Sequence, residues 1–388
     1  MPDCGGRQKF IIRTSDRGIF KGCRQRWDFA SKIRGDYEPF APQVAFDFGT
    51  SIHAGLEQYY KNFDHENRNA IALAAFLVSE QDFRKKAKVF YTDGVLPEEI
   101  AIEFDERTEL GKGMMLHYFG FYQHEKLKPV KVEIEFELQI PVSDDNFHLI
   151  PEGGMLNWDA ANDLMCWCTA CKRHHSVYYQ GRCDMLVEDQ WGRYWIWDHK
   201  TAGQFGSTEW LDIDDQCGSY IWALRSLRLP IQGVVYNRLL KATPHPPTVL
   251  QSGKLSVNKQ QRTTYELFMR TLAEQNLSTA GYEGYIRFLK EKPNMFFQRV
   301  EVVRGQNELP IIERRILMEA IDMLDDPKIY PSPGMFTCMG CAFKVPCIAT
   351  QDGSDVEFIL KHNYRKRNED DKPINFVGAS DSGEAGRA

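Results

Sequence analysis

Two short acidic motifs, separated by a turn, contain the residue types that bind hard metal ions. Asp184 follows Gly181-Arg182-Cys183, and Asp198 and Lys200 follow the apolar run Tyr194-Trp195-Ile196-Trp197. The polar, glycine-containing segment between the motifs predicts a hairpin, which would bring the two aspartates together at one end of a sheet. Adjacent carboxylates repel one another unless a cation lies between them, and Mg²⁺ or Mn²⁺ suits such oxygen ligands.

The lysine adds a reactive group to this pair of carboxylates. Lys200 lies two residues after Asp198, so in a strand both side chains are on the same face. Two carboxylates, a divalent cation and an amine at one point suit hydrolysis of a phosphodiester: the metal acidifies a water and neutralises charge on the phosphate, while the lysine positions or activates the water. D-x-K alone is common, and an ordinary charged hairpin is the simpler interpretation of these motifs by themselves.

Two predicted helices carry further polar side chains. His53 and Glu57 are four residues apart and share a face, and so do Gln216 and Tyr220. A core histidine, and a partly buried tyrosine bonded to the glutamine, are the simpler interpretations. The functional alternative is that His53 binds the metal, while Gln216 contacts a phosphate and Tyr220 stacks on a base.

Three cysteines near the carboxyl end form the motif Cys338-x2-Cys341-x5-Cys347. Three thiolates on a short segment need a fourth ligand to hold a [4Fe–4S] cluster or a zinc ion. Cys23, in the predicted first helix, is the natural fourth ligand. A cluster or ion held by all four cysteines would link the two ends of the chain and so close a loop of almost its whole length. This link would remove much conformational entropy from the unfolded state. Zinc on the same four cysteines stays open as the alternative.

A second cysteine-rich segment runs from residue 152 to residue 176 and is predicted to be irregular. It contains three cysteines and two histidines: Cys166, Cys168, Cys171, His174 and His175. Cys166, Cys168 and Cys171 could hold a tetrahedral zinc with either histidine as the fourth ligand, and we select His174 as the candidate. The alternative is a loop with reduced cysteines.

The elements that must position these groups include both helices and strands. The predicted helices are 18–33, 52–63, 68–128 with a break near Gly94 and Pro97, 208–227, 260–290 and 307–324. The predicted strands are 130–140, 146–150, the two arms of the hairpin, 231–240 and 296–303. The strand from 231 follows a helix, so we expect it to run parallel to the strand before it. The polar tail from about Asn363 is expected to be disordered.

Composition limits the class of protein. With 388 residues, of which 43% are apolar, the chain is long enough for one large globular domain or two. Its net charge of -6 is not that of an obvious nucleic-acid binder. No apolar run is long enough to cross a membrane, and the amino terminus lacks a secretory segment. We therefore expect a cytoplasmic protein, whose ten cysteines serve metal or cluster binding rather than disulfides.

In their order, these motifs resemble the PD-(D/E)XK nuclease superfamily, specifically the iron–sulfur branch that includes RecB/AddB-type nuclease domains and CRISPR-adaptation exonucleases. The resemblance covers roughly residues 15–347. It implies catalytic roles for Asp184, Asp198, Lys200, Gln216 and Tyr220. It implies that Mg²⁺ or Mn²⁺ is held by His53, Asp184, Asp198 and the backbone carbonyl of His199. It also implies a [4Fe–4S] cluster on Cys23, Cys338, Cys341 and Cys347. Glu57 is a candidate to orient His53, and Glu133 or Glu135 is a weaker candidate to reach the site.

The resemblance implies an α/β, restriction-endonuclease-like fold: a mixed central sheet flanked by helices, with a helical N-terminal region and a C-terminal iron–sulfur region. We expect a helical region at 1–129, a nuclease core at 130–330 with the cysteine-rich insertion 152–176, a cluster-binding region at 331–362 and a disordered tail at 363–388.

The activity implied is that of a hydrolase, a DNA exonuclease acting on single strands or ends in recombination, repair or replication, and a phage-encoded enzyme is one option. Two alternatives stay open: an endonuclease that cuts flaps or branched DNA, and a DNA-end-binding subunit whose cleavage is incidental. The presence of His53, Asp184, Asp198 and Lys200 together favours an enzyme, because a pure binder would not need all four. The expected partner is DNA, with no membrane.

Overall fold

The fold comes from a computed structural model, which describes residues 9–40, 44–89, 91, 94–292, 294–367 and 376–377. The strands are β1 (Lys9–Arg13), β2 (Tyr37–Pro39), β3 (Lys128–Gln139), β4 (Leu156–Trp158), β5 (Leu164–Cys168), β6 (Arg173–Glu188), β7 (Tyr194–Ala202), β8 (Ile231–Leu240), β9 (Phe297–Val303), β10 (Tyr364–Lys366) and β11 (Phe376–Val377). The helices are α1 (Thr14–Gly22), α2 (Arg24–Ala30), α3 (Val44–Lys61), α4 (Arg68–Lys88), α5 (Glu98–Phe121), α6 (Asp215–Ser226), α7 (Tyr265–Glu274), α8 (Glu283–Glu291), α9 (Leu309–Leu324), α10 (Met335–Met339), α11 (Lys344–Asp352) and α12 (Val356–Asn363). Within these described ranges, no helix combines the length and the apolar character that crossing a membrane requires.

The central sheet is mixed, in the order β11-β3-β6-β7-β8-β9, and β1 and the β4–β5 hairpin add to the long strand β6. Strand β6 is antiparallel to β3 and to β7. Strand β8 is parallel to β7, as its position after a helix predicts, and β9 is antiparallel to β8. The predicted fold class, a mixed sheet flanked by helices, is confirmed.

Helices cover both faces of the sheet. Trp195 and Trp197 of β7 pack on one face with α3, α4 and α5, whereas Ile196 packs on the other face with α1, α2, α6 and α9. This alternation follows from the two-residue period of a strand. A strand buried on both faces needs apolar residues at successive positions, which explains the run before Asp198.

The two ends of the described chain pack against each other. Strand β10 pairs antiparallel with β2. The ring of Phe29 in α2 stacks on Phe343 with a centroid distance of 5.7 Å. The hydroxyl of Tyr364 donates a hydrogen bond to the carbonyl of Ala342, at 2.7 Å. The segment with the three C-terminal cysteines is therefore attached to the N-terminal helices. Order also reaches Arg367, so the disorder expected from about Asn363 is wrong for residues 363–367, and most of the predicted tail lies outside the described residues.

The predicted helix 18–33 is wrong as one continuous element. Helix α1 ends at Gly22 and α2 begins at Arg24, and between them Cys23 is extended, with φ −165° and ψ 110°. The N–H of Cys23 still donates to the carbonyl of Ile19, at 2.8 Å, so this residue closes the first helix. Helical periodicity continues through the break, which is why the apolar pattern did not reveal it.

Two further predictions are wrong. Residues 146–150 do not form a strand, because Phe147–Leu149 is a short 3₁₀ helix. The segment 152–176 is not irregular: it holds β4, β5 and the first residues of β6. Its three cysteines and two histidines concealed the alternation of the strands. The predicted helical region 68–128 is two helices, α4 and α5, and the predicted break near Gly94 and Pro97 is confirmed. The region 260–290 is also two helices, α7 and α8, rather than one, and α6 is preceded by a 3₁₀ turn.

The tightest packing near the acidic motifs occurs at Gly181. A Cβ atom at this position would lie 2.3 Å from the ring of Phe136, which is fully buried and packs edge-on against Tyr220. We expect Gly181→Ala to destabilise the fold by about 1–3 kcal/mol, because the ring must shift within a filled core. The urea midpoint followed by circular dichroism measures this loss. Gly18→Ala is the matched control: its Cβ meets open space in α1, so it should stabilise by up to about 1 kcal/mol. Equal midpoints for the two variants would contradict the packing argument.

Candidate active site and cysteine groups

Asp184 and Asp198 lie side by side at one end of the β6–β7 ladder, one step beyond the last register pair, Met185 with Trp197. Asp184 accepts two hydrogen bonds in this arrangement. Its Oδ1 lies 3.1 Å from His53 Nδ1, on α3, and its Oδ2 accepts the backbone N–H of His199 at 2.6 Å. The structure therefore brings together the two aspartates and the histidine that the sequence suggested as metal ligands.

Asp198 and Lys200 form the second half of the site. Lys200 Nζ lies 2.7 Å from Asp198 Oδ2 and donates to Gln216 Oε1 at 3.0 Å. The amide of Gln216 donates to Asp198 Oδ1 and contacts the Tyr220 hydroxyl, each at 3.2 Å. Helix α6 can present Gln216 here because Asp214 caps its first turn, accepting the N–H of Cys217 at 2.8 Å.

The stacking role expected for Tyr220 is wrong. Its ring is 7% exposed and packs edge-on against Phe136, with a centroid distance of 5.4 Å. The buried ring leaves no surface for a base, and the part of Tyr220 that reaches the site is its hydroxyl, next to Gln216.

Burial and neighbouring charges set the protonation of the acidic pair. Burial opposes ionisation of Asp184, but its hydrogen bond to His53 and the charge of that imidazole outweigh burial and lower the pKa of this carboxyl. Burial also acts against the charged form of His53, and the contact with Asp184 raises the His53 pKa in spite of it. Burial raises the pKa of Asp198, although Lys200 opposes the rise, and Asp184 adds to it. Two such carboxylates in one buried place favour a bound cation.

A shallow pocket opens beside Asp184 and is lined by His53, Glu57, Tyr60, Glu133, His199 and their apolar neighbours. Glu133 lies between Val132 and Ile134, which pair with Met185 and Cys183 on either side of Asp184, and it has a left-handed backbone, with φ +53°. Arg182 lies 3.1 Å from its carboxylate, yet burial, with Asp184 and Glu57 nearby, raises the Glu133 pKa to about 7. Of the two weaker candidates, Glu133 and not Glu135 therefore lines the pocket.

A buried polar network behind His199 was not foreseen from the sequence. Asn237 on β8 contacts His199 Nδ1 at 2.8 Å and donates to the Tyr118 hydroxyl at 2.9 Å. Arg299 on β9 pairs with Glu125 and lies over the ring of Trp197 at 4.4 Å. Burial lowers the pKa of His199 to about 3, so its ring is neutral, and the Asn237 amide makes Nδ1 the acceptor. The network holds the strand segment whose N–H binds Asp184.

The donor set fits a divalent cation. Asp198 Oδ2 is buried and, among the described residues, accepts no hydrogen bond of good geometry, although Lys200 lies close. Asp184, Asp198 and His53 supply two oxygen donors and a nitrogen donor, and Glu133 is a further carboxylate at the pocket wall. Such a set suits Mg²⁺ or Mn²⁺.

The four cysteines that the sequence suggested as one ligand set, Cys23, Cys338, Cys341 and Cys347, lie in one region. The N–H of Ser332 points at Cys23 Sγ, at 3.5 Å, and Cys341 and Cys347 pack in the apolar cluster with Phe29 and Phe343. Burial raises the pKa of Cys347, and the thiols of Cys23, Cys341 and Cys338 raise it further. Cys23 is therefore close to three cysteines that lie 315 or more positions later in the chain.

The insertion brings together a different group. The ligand atoms of Cys168, Cys171 and His175 all lie within 4.8 Å of one another. His174, the histidine selected from the sequence, contacts the ring of Trp167 instead, at 5.1 Å. Cys166 is buried, and burial, followed by the Cys168 thiol, raises its pKa to about 12. A strand puts successive side chains on opposite faces, which separates His174 from His175.

Comparison with known protein families identifies one family that matches this chain. A family model described as the PD-(D/E)XK nuclease superfamily matches residues 18–348. No curated protein matches the sequence. Among solved structures, one match is the crystal structure of SSO0001, at 10% identity and a TM-score of 0.26, covering 79% of this chain and 96% of that one.

Proposed function

The chain belongs to the PD-(D/E)XK nuclease superfamily, and on that premise we propose that it is an exodeoxyribonuclease acting on single-stranded DNA or DNA ends in recombination, repair or replication. The superfamily consists of metal-dependent nucleases, so hydrolysis of nucleic acid is the activity of the family. The observation that carries the proposal is the single hydrogen-bonded site formed by His53, Asp184, Asp198, Lys200 and Gln216.

Each residue of this site has a role that its contacts support. His53, Asp184 and Asp198, with the backbone carbonyl of His199, would hold a divalent cation. When bound, that cation supplies positive charge to the scissile phosphate and makes a nearby water more acidic. Lys200 is anchored by Asp198 and Gln216, so its ammonium group is oriented before substrate arrives. The Tyr220 hydroxyl holds the Gln216 amide in place.

The same site residues support two other candidates, which differ from the exonuclease in the DNA that they would act on. A flap or branched-DNA endonuclease is the second candidate, because a flap also offers a single strand. A DNA-end-binding subunit is the third, although an oriented lysine and a complete donor set favour cleavage.

The test uses three end-labelled substrates with Mn²⁺, with Mg²⁺ and with chelator: a linear single strand, a flap and a closed circular single strand. The proposal expects stepwise loss of label from the linear strand and from the free end of the flap, no cleavage of the circle, and no cleavage of any substrate with chelator. Cutting of the circle or release of the intact flap would support the endonuclease instead. Binding of the DNA without cleavage in Mn²⁺ or in Mg²⁺ would support the DNA-end-binding subunit.

We also propose that Cys23, Cys338, Cys341 and Cys347 hold a [4Fe–4S] cluster. Four thiolates on one zinc lie about 3.8 Å apart, from Zn–S bonds of about 2.3 Å, whereas a four-iron cubane separates its thiolates more widely. In the part of the chain that the structure describes, no three of these four sulfurs lie within 4.8 Å of one another. That wider spacing supports the cluster over zinc.

Iron content tests this assignment. Protein purified without oxygen should be brown, absorb near roughly 400 nm and contain about four irons per chain. Cys341→Ser should lose most of the colour and iron, because three thiolates hold a cubane poorly. Cys171→Ser, a half-buried cysteine of the other group, should keep both. Colourless wild-type protein with zinc on these four cysteines would overturn the cluster.

A further inference from the structure

A second metal-binding group lies at the tip of the β5–β6 hairpin, a part of the fold that the nuclease site does not use. Cys171 Sγ lies 2.8 Å from His175 Nε2, and Cys168 completes a group whose ligand atoms are within 4.8 Å of one another. We propose that this group binds a zinc ion, with Cys166 as the fourth ligand. Soft thiolates with one imidazole are the donors that tetrahedral zinc prefers.

The conformation of the turn between Cys168 and Cys171 favours metal binding. The N–H of Cys171 points at Cys168 Sγ, at 3.5 Å, and the N–H of Lys172 donates to the Cys168 carbonyl at 2.9 Å. Lys172 has a left-handed backbone, with φ +58°, which is unfavourable for a residue with a side chain. This turn puts both sulfurs on one side of the hairpin, and a backbone N–H directed at sulfur stabilises the thiolate that zinc requires.

The strand register brings the fourth ligand to the same place. Cys166 stands directly opposite His175 in the antiparallel β5–β6 pair, so their Cβ atoms are about 5 Å apart on one face. It is also two residues before Cys168 and therefore shares its face. The Cys166 thiol points toward the carbonyl of Trp167, at 3.7 Å, so the proposal requires this side chain to turn toward the other three ligands when the ion binds.

The surroundings favour a structural ion rather than a reactive one. Cys166 and Cys168 are fully buried and His175 is 9% exposed, so water has little access. The ring of Phe10 on β1 contacts His175 edge-on, at 5.7 Å, and orients it. Four protein ligands leave no open position for substrate, and the ion would join the two arms of the hairpin to each other, next to the edge of the sheet where β1 pairs with β6.

Zinc content of the purified full chain is the test. Wild-type protein, treated with a weak chelator and desalted, should retain about one zinc per chain by mass spectrometry. His175→Ala and Cys171→Ser should each bind zinc at least roughly tenfold more weakly in a competition titration with a chromogenic chelator. His174→Ala is the matched control, since this neighbour on the other face contacts Trp167, and it should keep the zinc.

Two further measurements keep the result independent of folding defects and of the other cysteines. His175→Cys replaces the imidazole with a thiolate, which is also a zinc donor, and should restore the zinc that His175→Ala loses. Cobalt(II) added to metal-free wild-type protein should give sulfur-to-metal absorption and the intense visible bands of a tetrahedral site. Cys341→Ser should leave this zinc in place while it removes iron. Three results would each overturn the proposal. The first is wild-type protein that binds no zinc after reconstitution, and the second is a variant with both Cys171→Ser and His175→Ala that still binds zinc. The third is a loss of zinc affinity in His174→Ala as large as that in His175→Ala.

Discussion

Lys200→Ala is expected to lower the rate of DNA cleavage by about 100- to 1,000-fold, the usual effect of removing one oriented charge from the transition state. Lys200 is held by Asp198 and Gln216 and carries the only ammonium group that the structure places against the acidic pair within the described residues. DNA binding should change little, because one lysine supplies a small part of the contacts to a phosphate backbone. Single-turnover cleavage of an end-labelled strand with Mn²⁺ measures the rate, and a binding titration in Ca²⁺ measures affinity.

The control for this variant is Lys254→Ala, which removes an exposed lysine far along the chain and should leave the rate unchanged. Lys200→Arg keeps a positive charge but changes its shape, so it should recover only part of the rate. Full activity of Lys200→Ala would remove Lys200 from the mechanism. A parallel loss of DNA binding would make it a contact residue instead.

The second large effect concerns a buried ion pair far from the chemistry. Glu80 on α4 and Arg107 on α5 are 3% and 8% exposed, and the Arg107 Nε donates to the Glu80 carboxylate at 2.7 Å. Glu80→Ala leaves the guanidinium buried without this carboxylate and should lower the free energy of unfolding by roughly 3–5 kcal/mol. The apparent unfolding midpoint in urea measures the loss.

The same two helices supply a matched control for this pair. Arg84 and Asp105 form an exposed ion pair between α4 and α5, with the Asp105 side chain 65% exposed. Asp105→Ala should therefore cost less than about 1 kcal/mol. Replacing Glu80 and Arg107 together with methionine should recover most of the stability, since no charge stays buried. A double variant as unstable as Glu80→Ala would show that packing, and not charge, explains the loss.

The parts of the site that the sequence predicts are local ones. The hairpin between Asp184 and Asp198 depends on two apolar runs and a glycine-containing turn, and the parallel strand β8 follows from the helix before it. The four-residue spacing of Gln216 and Tyr220 directs both toward one point because α6 is regular. Each of these inferences needs only a short window of residues.

The parts that the sequence does not predict depend on register and on distant partners. The face of β6 on which each histidine lies decides whether His174 or His175 is next to the cysteines. Because the sequence predicted a loop here, it gave no alternation of side chains from which to choose between them. The ion pair of Glu125 with Arg299 spans 174 positions, and nothing local to either residue indicates it. Likewise, the break at Cys23 is stabilised by contacts with the C-terminal segment, such as the Ser332 N–H.

The packing of the two chain ends has a consequence for synthesis on the ribosome. Cys23 leaves the exit tunnel early, whereas Ser332, whose N–H points at its sulfur, is 309 positions later. At about 5–20 residues per second, translation takes roughly 15–60 s to cover that interval. Helix α1 meets Tyr179 and Ser219 earlier in synthesis, but the part of the first two helices that contacts the C-terminal segment, including Cys23, lacks that neighbour for the whole interval. Chaperones and proteases that act on nascent chains therefore meet this part uncovered.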